Sequence, residues 1–331
     1  MKPVIAITVG DFNGIGPEVT LKALLHPRVV KEIHPILVGP IEIFEYYARK
    51  FKIDVHCEAV DSIPAKFTKN ILPVIVTSPV SVKQIQIGKN APDAGVCAGA
   101  AIERAIRLCL DNHADAMVTA PVSKEALHSA GYNFPGQTEM LALLTRSDKV
   151  TMMLVTKAMR VALATVHLPI NKVSDNISQE RLADKLMTVR DALQKDLGIS
   201  VPRIAVLGLN PHAGENGAIG REELESIIPA IAAAKKKNIN AEGPFPADGF
   251  FASGEYKQFD AILAMYHDQG LIPLKMSGFD EGVNYSAGLK IVRTSPDHGT
   301  AFNIAGKGIA QPGSMIAAIM LASSIAQQRN K

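Results

Sequence analysis

Three histidines each come directly after an apolar run that reads as a β-strand. His167 follows residues 161–166, His212 follows 204–209 by way of Asn210 and Pro211, and His267 follows 261–266. In parallel α/β sheets, ligands sit outside the carboxyl ends of the strands. Three imidazoles delivered there by three strands could meet at one point. Three neutral imidazoles with an open fourth position make a common catalytic metal site, so the arrangement points to an enzyme. The histidines are 45 and 55 residues apart, unlike a local zinc motif, so the fold has to gather them. His26, His34, His56, His113 and His128 read as surface or core residues.

Other segments carry groups suited to an anionic or nucleotide ligand. The first strand runs into Gly10-Asp-Phe-Asn-Gly-Ile-Gly-Pro-Glu18. Its glycines permit a tight turn, and Pro17 suits the first turn of a helix. The spacing is neither Gly-x-Gly-x-x-Gly nor a Walker A loop, so a purely structural turn and a ligand contact are equally open. Thr119-Ala-Pro-Val-Ser-Lys124 and Pro135-Gly-Gln-Thr-Glu139 combine hydroxyls and backbone donors at strand-to-helix turns, where anions bind. Lys275, Asn284 and Arg293 fall in a Gly-rich, aperiodic stretch. Arg pairs bidentately with carboxylate or phosphate, and Lys supplies a point charge. Residues 293–308 offer glycines and backbone donors without an apolar period, as a cap and turn or as a nucleotide loop.

Positioning these groups falls to strands alternating with amphipathic helices. Strands are expected at 4–9, 35–38, 72–76, 116–119, 151–155, 161–166, 204–209 and 261–265, with helices at 98–110, 180–193 and 221–237 and another from Ser314. Such alternation specifies an α/β chain with a largely parallel sheet. A chain of 331 residues suffices for two medium lobes wound across a cleft. Hydrophobic content of 47% with 20% charged residues is that of a globular protein, and a net charge of +3 is too small for a nucleic-acid surface. The Lys235–Lys237 run closes a helix, as the macrodipole prefers. Three unpatterned cysteines argue against a disulfide framework. The apolar start is too short for a signal peptide and no run spans a bilayer. A cytoplasmic protein with no nucleic-acid or membrane partner is expected.

Taken together, the blocks resemble one family. To those above are added His167-Leu-Pro169, Gly208-Leu-Asn-Pro-His-Ala-Gly-Glu-Asn-Gly217, Gly243-Pro244 with Ala247-Asp248, Tyr266-His-Asp-Gln-Gly-Leu-Ile-Pro-Leu-Lys275, Gly282-Val-Asn284 and Arg293-Thr-Ser-Pro-Asp-His-Gly-Thr300. From about residue 4 to 327 the chain resembles the 4-hydroxythreonine-4-phosphate dehydrogenases of vitamin B6 biosynthesis. The resemblance implies a two-lobed isocitrate/isopropylmalate-dehydrogenase-like α/β/α fold without a Rossmann fingerprint. Residues 1–125 with 285–331 would form a first lobe carrying the cofactor loop, and 126–284 a second with metal, substrate and dimer contacts. It also implies a homodimer with shared active sites, NAD or NADP, and one divalent metal per site (zinc, magnesium or cobalt). The substrate would be a small phosphorylated hydroxy amino acid, oxidised at C3 and then decarboxylated.

Carried over by position, His167, His212 and His267 become the metal ligands, with the third supplied by the partner subunit. Gln137, Thr138, Lys275, Asn284 and Arg293 become substrate contacts, and His298, Gly299, Thr300, Ala301 and Asn303 line the cofactor. Asp248, Asp268 and Lys275 are the candidates for general base. The chain departs from the family pattern at Gln137, where histidine is usual, and at Phe12-Asn13, Lys290 and Asn303. Asn303 replaces a carboxylate, which would relax a preference for NAD over NADP. Paralogues acting on D-threonate or D-erythronate 4-phosphate are the nearest alternative. Phosphate acyl transfer needs neither the histidines nor the nucleotide loop, and a non-catalytic metal protein would leave the charged set idle.

Overall fold

The computed structural model describes residues 2–134 and 136–331, so Met1 and Pro135 of the 135–139 block lie outside the described residues. Two compact units emerge: Met1–Ser147 with Leu289–Lys331, and Asp148–Gly288.

In the first unit, β1 (Val4–Thr8), β2 (His34–Val38), β3 (His56–Ala59), β4 (Ile71–Ile75) and β5 (Ala116–Val118) alternate with helices. These are α1 (Gly16–Leu24), α2 (Pro27–Glu32), α3 (Ile41–Phe51), α4 (Pro92–Leu110), α5 (Lys124–Ser129) and α6 (Gln137–Leu144). The second unit holds β6 (Thr151–Val155), β7 (Arg160–Leu163), β8 (Arg203–Leu207), β9 (Asn240–Phe245), β10 (Ala261–Ala264) and β11 (Val283–Ala287). Its helices are α7 (Gln179–Asp191), α8 (Ile228–Lys236), α9 (Ala247–Ala252) and α10 (His267–Ser277). The chain then returns to the first unit as β12 (Arg293–Pro296) and α11 (Gly313–Arg329).

The first unit's strands run β3-β4-β2-β1-β5-β12, all parallel. Ile5, Ala6 and Ile7 of β1 are fully buried, because a parallel sheet is covered on both faces and favours continuous apolar runs. The second unit's strands run β11-β6-β7-β10-β8-β9; β6 is antiparallel to both neighbours and the rest are parallel. Its core joins Leu154, Val161, Leu163, Leu207, Ile262, Phe250 and Leu274.

The α/β class and every expected strand and helix are present, with four added strands, further helices and several shifts. Strands β3, β9, β11 and β12 escape a reading based on apolar runs. Their sequences, such as Val-Asn-Tyr-Ser-Ala and Arg-Thr-Ser-Pro, place polar side chains on a buried sheet. Residues 126–147 group with the first unit, because α5 packs against α4 and α6 reaches the β5 and β12 strand ends. Residues 285–288 stay with the second unit as the end of β11. The boundaries therefore fall after 147 and 288 instead of 125 and 284. Cys57, Cys97 and Cys109 are buried free thiols. Among the described residues, no helix is long and apolar enough to cross a membrane.

Candidate active site

The three histidine-bearing strands are neighbours in the order β7-β10-β8, with β10 in the middle. Main-chain and side-chain bonds tie their ends together. Thr165 donates its amide and hydroxyl to the carbonyl of Met265, at 3.2 and 2.7 Å. Gln269 accepts from the Met265 amide at 2.7 Å and donates to the Gly208 carbonyl at 2.6 Å. The chain segments leading to His167 and His212 are thus both braced against the one leading to His267.

His267 opens α10. Its Nδ1 lies 2.7 Å from a carboxylate oxygen of Asp268, a contact that favours the tautomer with Nδ1–H and leaves the Nε2 lone pair available to a ligand. Histidine ligands are commonly oriented this way by a carboxylate. The His167 and His267 rings lie 6.1 Å apart, centroid to centroid. Two imidazoles on one ion at ordinary zinc–nitrogen distances have centroids roughly 5–6.5 Å apart, so this pair fits a shared divalent metal.

Among the described residues, no three His, Cys, Asp or Glu side chains gather around one ion position. One chain by itself therefore does not gather the three imidazoles that the strand ends could have brought together. β7 stops at Leu163 and β8 at Leu207, so His167 and His212 ride on the loops beyond instead of on the strand ends. His212 begins a left-handed turn in which His212, Ala213, Gly214, Glu215 and Asn216 have φ of 54, 51, 78, 43 and 54°. Left-handed backbone costs L-residues about 1–2 kcal/mol each, so this turn needs outside support. The Glu223 carboxylate provides it by accepting the Leu209 and Asn210 amides, both at 2.8 Å.

The other second-unit candidates are dispersed. Asp248 is exposed in the first turn of α9. Asp268 is already engaged by His267, which makes it an orienting group before it is a base. Lys275 lies eight residues beyond His267 on α10, about 12 Å along the axis at 1.5 Å per residue. Asn284 sits in β11, and its buried Oδ1 has no hydrogen-bond donor, an acceptor open to a ligand.

In the first unit, Arg293 is 2% exposed, which corrects its placement in an aperiodic stretch: it opens β12 and points into the protein. Its Nε and Nη2 donate to Thr119 Oγ1 at 3.1 and 2.6 Å, and Nη2 also donates to Gln137 Oε1. Burial pushes its pKa down to about 9, so it stays cationic at neutral pH. Gln137 offers that cation a neutral acceptor, whereas an imidazole offers one acceptor nitrogen at most and none when protonated. Thr138 follows, half-buried, in the first turn of α6.

The 298–303 segment is a loop, as expected. His298 keeps a buried Nε2 without a partner, while its Nδ1 lies 3.1 Å from the Gly299 carbonyl. Gly299 has open space where a Cβ would project, Ala301 has φ 43°, and Asn303 is exposed. An unsatisfied ring nitrogen beside open backbone suits a nucleotide. The Thr300 carbonyl accepts the Ile15 amide at 2.9 Å, which anchors this loop on the Gly10–Glu18 turn. At Gly10 (φ 69°) an added Cβ would lie 2.5 Å from the Pro121 carbonyl, so the turn requires glycine. Asn13 accepts the Gln86 amide at 2.7 Å through Oδ1, a bond that alanine at this position could not make. Within the 119–124 block, Ser123 caps α5 by accepting the Ala126 amide at 3.1 Å. Thr119, Glu223 and Gln269 were not singled out from sequence. Thr119 and Gln269 lay in blocks already flagged, whereas nothing in the spacing marks Glu223.

A family model described as pyridoxal phosphate biosynthetic protein PdxA matches residues 31–322. The chain is 42% identical to a 4-hydroxythreonine-4-phosphate dehydrogenase of Bacteroides thetaiotaomicron, over 99% of this chain and 90% of that protein. It is also 42% identical to a D-threonate 4-phosphate dehydrogenase of Cupriavidus necator, over 99% and 98% of the two chains. The solved 4-hydroxythreonine-4-phosphate dehydrogenase of Klebsiella pneumoniae superposes with a TM-score of 0.89 at 39% identity, covering 99% of both chains. With full-length similarity in sequence and in fold, the chain belongs to the PdxA family of pyridoxal phosphate biosynthetic proteins.

Proposed function

We propose that this chain is a metal-assisted, NAD(P)-linked dehydrogenase that oxidises the C3 hydroxyl of 4-phosphooxy-L-threonine. The β-keto acid so formed loses CO2 to give 3-amino-2-oxopropyl phosphate. The observation that carries this reading is the His167–His267 pair, 6.1 Å apart with the second ring oriented by Asp268. A bound divalent metal supplies Lewis acidity toward the hydroxyl and the later carbonyl, while the nicotinamide accepts hydride. His167, His212 and His267 would hold that metal, a second copy of the chain supplying one of the three.

The chain's own residues do the rest. Asp268 keeps the His267 tautomer set for ligation. Lys275, about 12 Å along α10 from His267, suits the phosphorylated end of the substrate better than the reacting hydroxyl. Asn284 offers its unpartnered Oδ1 to a substrate donor. Arg293 and Thr138 meet substrate oxygens, and Thr119 and Gln137 hold the guanidinium in place. With Asp268 engaged and Lys275 distant, Asp248 is the favoured acceptor of the hydroxyl proton. His298, Gly299, Thr300 and Ala301 form the cofactor loop, with Asn303 exposed at its edge.

A second reading, oxidation of D-threonate 4-phosphate, is favoured by one observation. Gln137 replaces a titratable ring beside Arg293, and a D-threonate substrate carries a neutral hydroxyl where the amino acid carries an ammonium. The discriminating experiment supplies metal-loaded protein and NAD with each substrate and follows reduced-nicotinamide absorbance. Chelator-sensitive turnover of 4-phosphooxy-L-threonine is the expected result. Turnover confined to D-threonate 4-phosphate would replace the substrate and keep the site.

A further inference from the structure

We propose that Glu223 is a positioning residue for His212, holding the left-handed turn from which that histidine reaches the metal. The inference rests on the reading of His212 as a ligand. Glu223 is 2% exposed and sends its carboxylate into the turn instead of toward solvent. Oε1 accepts the Leu209 and Asn210 amides at the entrance, both at 2.8 Å. Oε2 accepts Asn210 Nδ2 at 2.9 Å. It also faces Gly214, where an added Cβ would sit 2.5 Å from it. His212 therefore lies between two points at which the chain closes on one carboxylate. The turn is secured on its far side by the Ile219 amide donating to the Gly214 carbonyl at 3.1 Å.

Charge and geometry both require glutamate here. Three N–H groups converge on its two oxygens, and an amide side chain presents only one acceptor oxygen. Asn210 cannot rotate its amide to compensate, because the same Nδ2 donates to Glu222 Oε2 at 2.7 Å. Reversing it would set oxygen against oxygen. Glutamine at 223 thus leaves opposed donors at the turn's entrance, and the left-handed residues lose the contact that offsets their strain. Orienting partners of metal ligands commonly change metal affinity by about 10–100-fold when removed.

The test uses the full-length chain with cobalt(II) as the probe, read by its visible absorption, with hydrogen exchange of the 209–217 amides and steady-state turnover in parallel. For Glu223→Gln we expect cobalt affinity to fall by about 10–100-fold. The Leu209 and Asn210 amides should exchange faster, and saturating cobalt should restore kcat to within about twofold of wild type. Glu223→Asp, with a shorter carboxylate, should fall between the two. Should Glu223→Gln fail to fold, Gly214→Ala presses on the same carboxylate from the other side and should weaken cobalt in the same direction. Wild-type cobalt affinity in Glu223→Gln, beside a His212→Ala variant that has lost binding, overturns the positioning role alone. A kcat loss that excess cobalt does not restore also overturns it. Wild-type affinity in His212→Ala overturns the ligand reading itself.

Discussion

Asp11 allows a quantitative test of the first unit's loop. Its side chain is fully buried where β1 turns into α1. Oδ1 accepts the Asn13 amide at 2.9 Å, while Oδ2 is buried without a donor. Burial raises its pKa from 3.8 to about 6, partly offset by the Asn13 and Gly14 amides. Between those two values the folded state retains a proton that the unfolded chain has released. Stability from this group is therefore greatest below about pH 4 and falls as pH rises through 6. The full shift corresponds to about 3 kcal/mol, of which about 2 kcal/mol develops between pH 4.5 and 7.5. Asp11→Asn keeps the acceptor for Asn13 and removes the charge. Its stability relative to wild type, from urea unfolding, should improve by about 2 kcal/mol on going from pH 4.5 to 7.5. An identical difference at both pH values would refute the reasoning, as would a variant that loses ground at the higher pH.

Two further substitutions test the site. Thr119→Val is nearly isosteric but removes the acceptor of two guanidinium N–H groups, so urea unfolding should show a loss of about 2–4 kcal/mol. A loss below about 0.5 kcal/mol, the range of ordinary surface changes, would mean that Arg293 does not depend on that hydroxyl. Asp248→Asn should lower kcat by about 10²–10⁴-fold, the span of general-base catalysis, with cobalt and NAD affinities unchanged. Near-full turnover would exclude Asp248 as the proton acceptor.

How much of this was legible in the sequence differs by physical cause. Strands β1, β2, β6, β8 and β10 are continuous apolar runs, and the alternation with helices implied parallel pairing. The positions of the histidines beyond strands β7, β8 and β10 followed from the same pattern. β11 and β12 were hidden because their inward side chains, Asn284, Ser286, Arg293 and Ser295, are polar and break the period. Arg293 was correctly picked out as an anion-binding type but not as a buried one. Burial of a cation depends on acceptors 174 and 156 residues away, which spacing cannot show. The His212 turn carried glycine signals at 208, 214 and 217, yet its hand depends on Glu223, which looks like an ordinary acidic helix start. The division at 147 was displaced from 125 because α5 and α6 resemble the helices of either unit.

The braces linking the three histidine segments end on main-chain atoms: the carbonyl and amide of Met265 and the carbonyl of Gly208. A substitution at Met265 alters packing but leaves both of its bracing groups in place. Thr165 and Gln269 contribute the side chains of these braces, so evolution or an engineer can vary much of the surrounding sequence while the braces stay in place. The proposed metal-binding side chains are correspondingly interchangeable units. On the proposed metal site, replacing His167 or His267 with a carboxylate or thiolate would retune metal selectivity while the main-chain braces stay in place.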